Sequence, residues 1–228
     1  MYSFNKCSCP ECSELALSTF DENNELSDGK GWCIKHHPDP EGLLHQIYSY
    51  IQSHEKIIGL NAFGMEFKDV SLAGKKFYGC NFQGCNFINV HATEIRCRMC
   101  IFDGSTFTDC DFLKSNIQFS SLAGSKIVHV LFTGSDLVHV NFNGVTCYQS
   151  SFDDSDLYNT RFIKAVLINT SLKNCNLKKA VFYESMRDNV SFKLANTREA
   201  LVDRNRGGLM GDIDTNFSDD KLKSGVTL

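Results

Sequence analysis

The chain has 228 residues, of which 42% are hydrophobic, with a formal net charge of −4. These values suit one or two soluble globular domains. Apolar runs are only a few residues long, so no helix of bilayer length is expected. The start, MYSFNKCSCPEC, lacks an apolar stretch of signal-peptide length, which points to the cytoplasm rather than to secretion. Residues 65–195 carry twelve acids and fourteen bases, for +2, while residues 1–64 carry nine acids and four bases, for −5. No segment has the concentrated basic charge of a nucleic-acid binder. Eleven cysteines in a chain read as cytoplasmic are expected as free or metal-bound thiols.

Taken from the start, residues 1–38 hold Cys7, Cys9, Cys12, Cys33, His36 and His37. Two short chelating turns, C-S-C-P-E-C and C-I-K-H-H, can close one tetrahedral site with two ligands each. The stretch between them is too polar to fold unaided, so metal binding would supply its folding energy. The pattern resembles small Cys/His modules with C-x4-C followed by C-x2-H, which matches Cys7, Cys12, Cys33 and His36. Cys9 is the alternate ligand, because Cys9 and Cys12 form the tighter C-x2-C. Zinc is the expected ion and its role structural; free or disulfide-forming thiols and an iron–sulfur cluster are the alternatives.

Residues 39–60 read as a capping helix. Asp39 is a good N-cap, Pro40 fits the first turn, and Glu41 complements the helix dipole. Leu43, Leu44, Ile47, Tyr48 and Ile51 recur at helical spacing, with His54 at the end of the series.

From residue 61 to 196 a period of five takes over. Every fifth residue from Phe67 to Phe182 gives 24 positions, of which 21 are Phe, Leu or Ile. A five-residue period fits neither an α-helix nor a flat strand, but it fits a chain that turns a corner after each short straight piece. Two positions before most centres the residue is small or β-branched, as at Cys80, Cys85, Val90, Ser105 and Thr160, and Met65, Lys75 and Ile95 depart from the rule. All seven cysteines of this region, including Cys97 and Cys100 of a C-x-x-C, fall in one of these two inward phases and read as core. Two positions after the centre Gly comes in seven repeats and Asn or Asp in seven more, which suit a turn with positive φ.

The segments CNFQG, CNFIN, STFTD, SSLAG, SDLYN and CNLKK resemble the pentapeptide-repeat family. The resemblance implies a mainly β fold: a right-handed, four-sided β-helix with four pentapeptides per coil. Phe82, Phe102, Phe142 and Phe162 would then stack in one core column, and six coils would make a rod of roughly 30 Å. Residues 197–205 are expected to form a short covering helix and the rest of 197–228 a mobile tail.

No phosphate-binding glycine loop, H-E-x-x-H or G-x-S-x-G is present, so an enzyme is not expected. Some relatives of this fold protect DNA gyrase from quinolones as acidic, duplex-shaped mimics, but mimicry needs a negative field and this rod is +2. The expectation is a non-enzymatic bacterial scaffold that binds a protein partner or a second copy of itself, and neither nucleic acid nor membrane. Its candidate contact is the β-branched, nearly uncharged strip Ile88, Thr108, Val128, Tyr148 and Ile168.

Overall fold

The structure is a computed structural model that describes residues 5–27 and 29–203. A parallel β-helix of about seven turns fills most of it, with a single helix, α1 (Pro40–Ser53), at its start. Each pentapeptide contributes a short straight piece and a corner, and strands pair with the residue twenty positions on. The register Phe67, Phe87, Phe107, Ile127, Cys147, Leu167 and Arg187 is continuous through one seven-stranded sheet. Four pentapeptides per coil give four faces. Face A is centred on Ile57, Phe77 and Cys97, face B on Phe82 and Phe102, face C on Phe67 and Phe87, and face D on Leu72 and Ala92.

The central residues are buried because each corner returns the next one to the interior. Their rings stack down the axis: Phe82 on Phe102 at 5.1 Å, and Phe142, Phe162 and Phe182 at 4.9 Å steps. Each such side chain contributes roughly 1.5–3 kcal/mol by burial. The corners all take positive φ, including bulky Met99 and Phe119.

The inner position is a hydrogen-bonding position as well as a small one. Ser115 Oγ donates to the Ala92 carbonyl at 3.0 Å, and Ser135 Oγ accepts the Ser115 amide at 2.9 Å. Hydroxyls thus bridge adjacent coils inside the core. Cys80, Cys85, Cys147 and Cys175 lie in the same interior, where burial pushes their thiols up, to about 12 for Cys85 and Cys175. Cys100 Sγ donates to the carbonyls of Phe77 and Arg98, so this half of the C-x-x-C is sealed in the coil.

Both ends differ from the boundaries expected from sequence. The coil begins at strand Lys56–Ile58, inside the segment assigned to the capping helix. Ile57 and Ala62 already hold the central phase and are buried, while α1 ends at Ser53. At the other end, residues 197–203 are not helical. Strand Leu201–Val202 pairs with Val181–Phe182, and the Leu201 amide donates to the Ala180 carbonyl at 2.8 Å. The open edge of the preceding coil offers its carbonyls to the next segment, and Val202 falls in the central phase. Residues 204–228, including the rest of the expected tail, lie outside the described residues.

Helix α1 forms as its sequence dictates. The Asp39 carboxylate accepts the Gly42 amide at 2.9 Å, Pro40 occupies the first turn, and Leu43, Ile47, Tyr50 and Ile51 are buried. Lys75 explains its own departure from the small-residue rule: its ammonium donates to the carbonyls of Gln52 and His54 at 2.8 and 2.9 Å. A cation there satisfies backbone groups at the helix C-terminus and complements its dipole.

Candidate metal centre

The N-terminal segment is held by a few backbone hydrogen bonds. The Cys7 amide donates to the Glu14 carbonyl at 2.9 Å, and Lys6 bridges Leu15 antiparallel. The turn between Cys9 and Cys12 closes with a Cys12 amide to Cys9 carbonyl bond at 3.2 Å, and Glu11 takes φ of 66° within it. A second turn, in which the His36 and His37 amides both reach the Cys33 carbonyl at 3.0 Å, presents Cys33 and His36. The Ser8 amide to the Gly31 carbonyl, at 2.9 Å, ties the two turns together.

This brings Cys7, Cys12, Cys33 and His36 together, with their ligand atoms all within 4.8 Å of one another. Cys12 and Cys33 Sγ are 4.0 Å apart, and His36 Nδ1 lies 3.3 Å from Cys33 Sγ and 3.6 Å from Cys7 Sγ. A tetrahedral ion with metal–sulfur bonds of about 2.3 Å has edges of about 3.8 Å, so the donors already stand near ligand spacing. Cys9 is not part of the quartet; its amide points at Cys7 Sγ from 3.5 Å. His37 instead faces the backbone of Asp39. Burial opposes ionisation of Cys7, yet hydrogen bonds from the Cys33 and Cys9 backbone and from the His36 and Cys33 side chains outweigh it. The thiol is lowered to about 6.

The same segment covers the first coil. Ser18 and Asn61 exchange two bonds: the Ser18 amide donates to the Asn61 carbonyl at 2.9 Å, and Ser18 Oγ accepts the Asn61 amide at 2.8 Å. Asn61 Nδ2 donates to the Ala16 carbonyl at 2.6 Å, and buried Asn81 donates to Asn61 Oδ1 at 2.8 Å. Leu17 is buried in the common core. The hairpin of β1 (Thr19–Phe20) and β2 (Leu26–Ser27) sets Phe20 against Tyr50 of α1, ring centroids 5.3 Å apart. Spacing alone did not signal Asn61 and Ser18, which are ordinary polar residues in sequence.

The strip Ile88, Thr108, Val128, Tyr148 and Ile168 lies in one register on face C. Its members are half-buried against each other except Tyr148, which is 39% exposed. His91, His129 and His139 stand in separate columns. His91 pairs with Asp111 at 2.7 Å, His129 lies between Asp109 and Gln149, and His139 stacks on Phe119 at 5.0 Å. Among the described residues no helix is long and apolar enough to cross a membrane.

A family model described as pentapeptide repeats matches in eight copies, over residues 80–127, 131–167 and 160–196. A trypsin-treated form of QnrB1, a plasmid-mediated fluoroquinolone resistance protein, is similar with a TM-score of 0.56 and 16% identity, over 76% of this chain and 90% of that one. A second treated form of QnrB1 gives 0.51 and 13%, over 75% and 100%. HetL, a pentapeptide-repeat protein of heterocyst differentiation regulation from the cyanobacterium Nostoc, gives 0.32 and 14%, over 68% and 92%. No curated protein matches by sequence. These likenesses concern the fold alone. Family repeats that span half the chain, on a coil with a twenty-residue register, identify this chain as a member of the pentapeptide-repeat family.

Proposed function

We propose that the chain is a non-catalytic scaffold for protein partners, whose first coil is sealed by a zinc-stapled module. The observation that carries the zinc reading is the convergence of Cys7, Cys12, Cys33 and His36 within 4.8 Å, on the segment that bonds to Asn61. Three thiolates and an imidazole suit Zn2+, and four protein ligands leave no open position for a reacting water. The ion would tie both turns and so hold Ala16–Ser18 on the edge of the coil. An open β-helix edge invites end-to-end association, and the sealed edge keeps the rod discrete.

The test is thermal unfolding and light scattering of the full chain with and without a zinc chelator. The reading expects one equivalent of zinc, a lower melting temperature after its removal, and larger assemblies. A metal-free protein with a folded N-terminal segment would defeat it.

The likeness to a fluoroquinolone resistance protein favours a second reading, gyrase protection. Against it stands the count of twelve acids and fourteen bases in residues 65–195, which does not make the negative field of a duplex. A gyrase supercoiling assay with a quinolone separates the two: the scaffold reading expects no protection.

A further inference from the structure

Most polar ladders on this rod place complementary groups one above another. Asn89 donates to Asp69 at 2.8 Å, His129 meets Asp109 at 3.0 Å, and Lys164 lies 3.7 Å from Glu184. Face A breaks the rule twice in one column: Asp136 lies in register with Asp156 further along, and at the N-terminal end the stack is cationic. There Lys56 pairs in register with Lys76, and Lys76 with Arg96, so three cations stack on successive coils. Arg98 stands beside them on the strand Arg96–Arg98. Like charges directly opposed across strands are unfavourable.

Neutralisation within the chain is incomplete. Glu55 pairs with Lys76, Lys56 lies over the Tyr78 ring at 5.6 Å, and Arg98 donates to Gln118 at 2.8 Å. Arg96 has no ion-pair partner among the described residues. Four cations against one carboxylate leave this patch at +3.

An apolar rim borders the same patch. Ile58, Met99 and Phe119 are 59%, 57% and 56% exposed. Met99 and Phe119 occupy the corner column where Gly59 and Gly79 stand on earlier coils, with φ of 53° and 52°. Only glycine enters that conformation without steric cost, so two large exposed side chains sit where local conformation disfavours them. Phe119 is already stacked on His139 through one face, at 5.0 Å, which holds it in place as a ledge.

We propose that face A from Lys56 to Phe119 binds an acidic amphipathic helix of a partner protein. Coils repeat about every 4.8 Å along the rod and helix turns about every 5.4 Å. Carboxylates spaced three and four residues apart on such a helix meet Lys56, Lys76 and Arg96 in turn. An adjacent apolar side chain of the helix lands on Met99 and Phe119. The cation run spans two coil steps, about 10 Å, too short for the extended basic footprint of a nucleic-acid site, and its rim is apolar. The proposal names the partner class for the scaffold reading and is independent of the zinc site.

The probe is a 16-residue helical peptide with Glu on one face and Leu beside it, titrated by fluorescence anisotropy against the full chain. Binding is expected to weaken at least tenfold in the double variant Arg96→Glu, Arg98→Glu, several-fold in Phe119→Ser, and at raised salt. The same peptide with Gln in place of Glu should bind at least tenfold more weakly. Equal binding of the Gln peptide, equal binding of a 20-base-pair DNA duplex, or no change in the double variant would overturn it. Should that variant fail to fold, amide shift perturbations on the unaltered protein decide: changes centred on Lys76, Arg96 and Phe119 support the site, and changes elsewhere refute it. Failure with zinc content and face C contacts unaltered removes this surface alone.

Discussion

Ser105 Oγ donates to the carbonyl of Phe82, one coil below, at 2.7 Å, and accepts the Cys85 amide at 3.1 Å. The residue is fully buried. One hydroxyl therefore satisfies two backbone groups inside the core, which is why serine recurs where an aliphatic residue would also be small enough. Ser125 and Ser155 repeat the donation, to Phe102 at 2.8 Å and Phe132 at 2.7 Å.

Replacing Ser105 with Ala should therefore cost about 1 kcal/mol, because the Phe82 carbonyl and the Cys85 amide lose the bridging hydroxyl and keep only their own turn bond at 3.3 Å. Ser105→Cys should cost less, because Cys85 in the same phase makes the equivalent bond to the Ala62 carbonyl at 3.0 Å. Urea unfolding of both variants measures the order. Equal stability of Ala and wild type would show that these bonds contribute nothing net.

The His129 ring bonds Gln149 at 2.7 Å and Asp109 at 3.0 Å, and the Gln149 hydrogen bond, then the hydrogen bond and charge of Asp109, raise its pKa above the usual histidine value. The folded state therefore favours the protonated ring. The contribution to stability is present below the unfolded value, about 6.5, and is lost as pH rises through the folded one. NMR titration should find His129 above 6.5. Gln149→Ala should lower it; an unchanged midpoint would assign the shift elsewhere.

Much of the coil was legible because one physical demand, a large apolar group at each return to the axis, repeats without a slip from Phe67 to Phe182. The ends were harder because that demand weakens there. Ala62 is small for a centre, and at the far end Arg187 takes a central position, with its guanidinium 5.7 and 5.6 Å from the Phe182 and Phe192 rings. Thr197 then interrupts the apolar record, so the segment up to Val202 read as something other than coil. Lys75 looked like a violation until α1 stood above it, since a helix C-terminus is a tertiary fact. In the N-terminal segment, spacing named the ligand types but left Cys7 and Cys9 as rivals to stand beside Cys12. The geometry places Cys7 Sγ 3.6 Å from His36 Nδ1 and leaves Cys9 contributing an amide.

On face C, Val128 and Tyr148 are adjacent in register. Replacing both with Lys puts two like charges one coil apart in the β-branched strip. A partner complex or dimer made through this strip should be lost in size-exclusion chromatography with light scattering, while the melting temperature falls only slightly. Unchanged assembly would remove the strip from the account.

The sealed N-terminal end is tested most directly by X-ray absorption at the zinc edge of the purified full chain. The account predicts one zinc per chain, with three sulfurs at about 2.3 Å and one nitrogen at about 2.0 Å. The Cys12→Ser variant should lose that signal, and the Cys9→Ser variant should keep it. A four-sulfur shell that needs Cys9, or a folded N-terminal segment without metal, would contradict it.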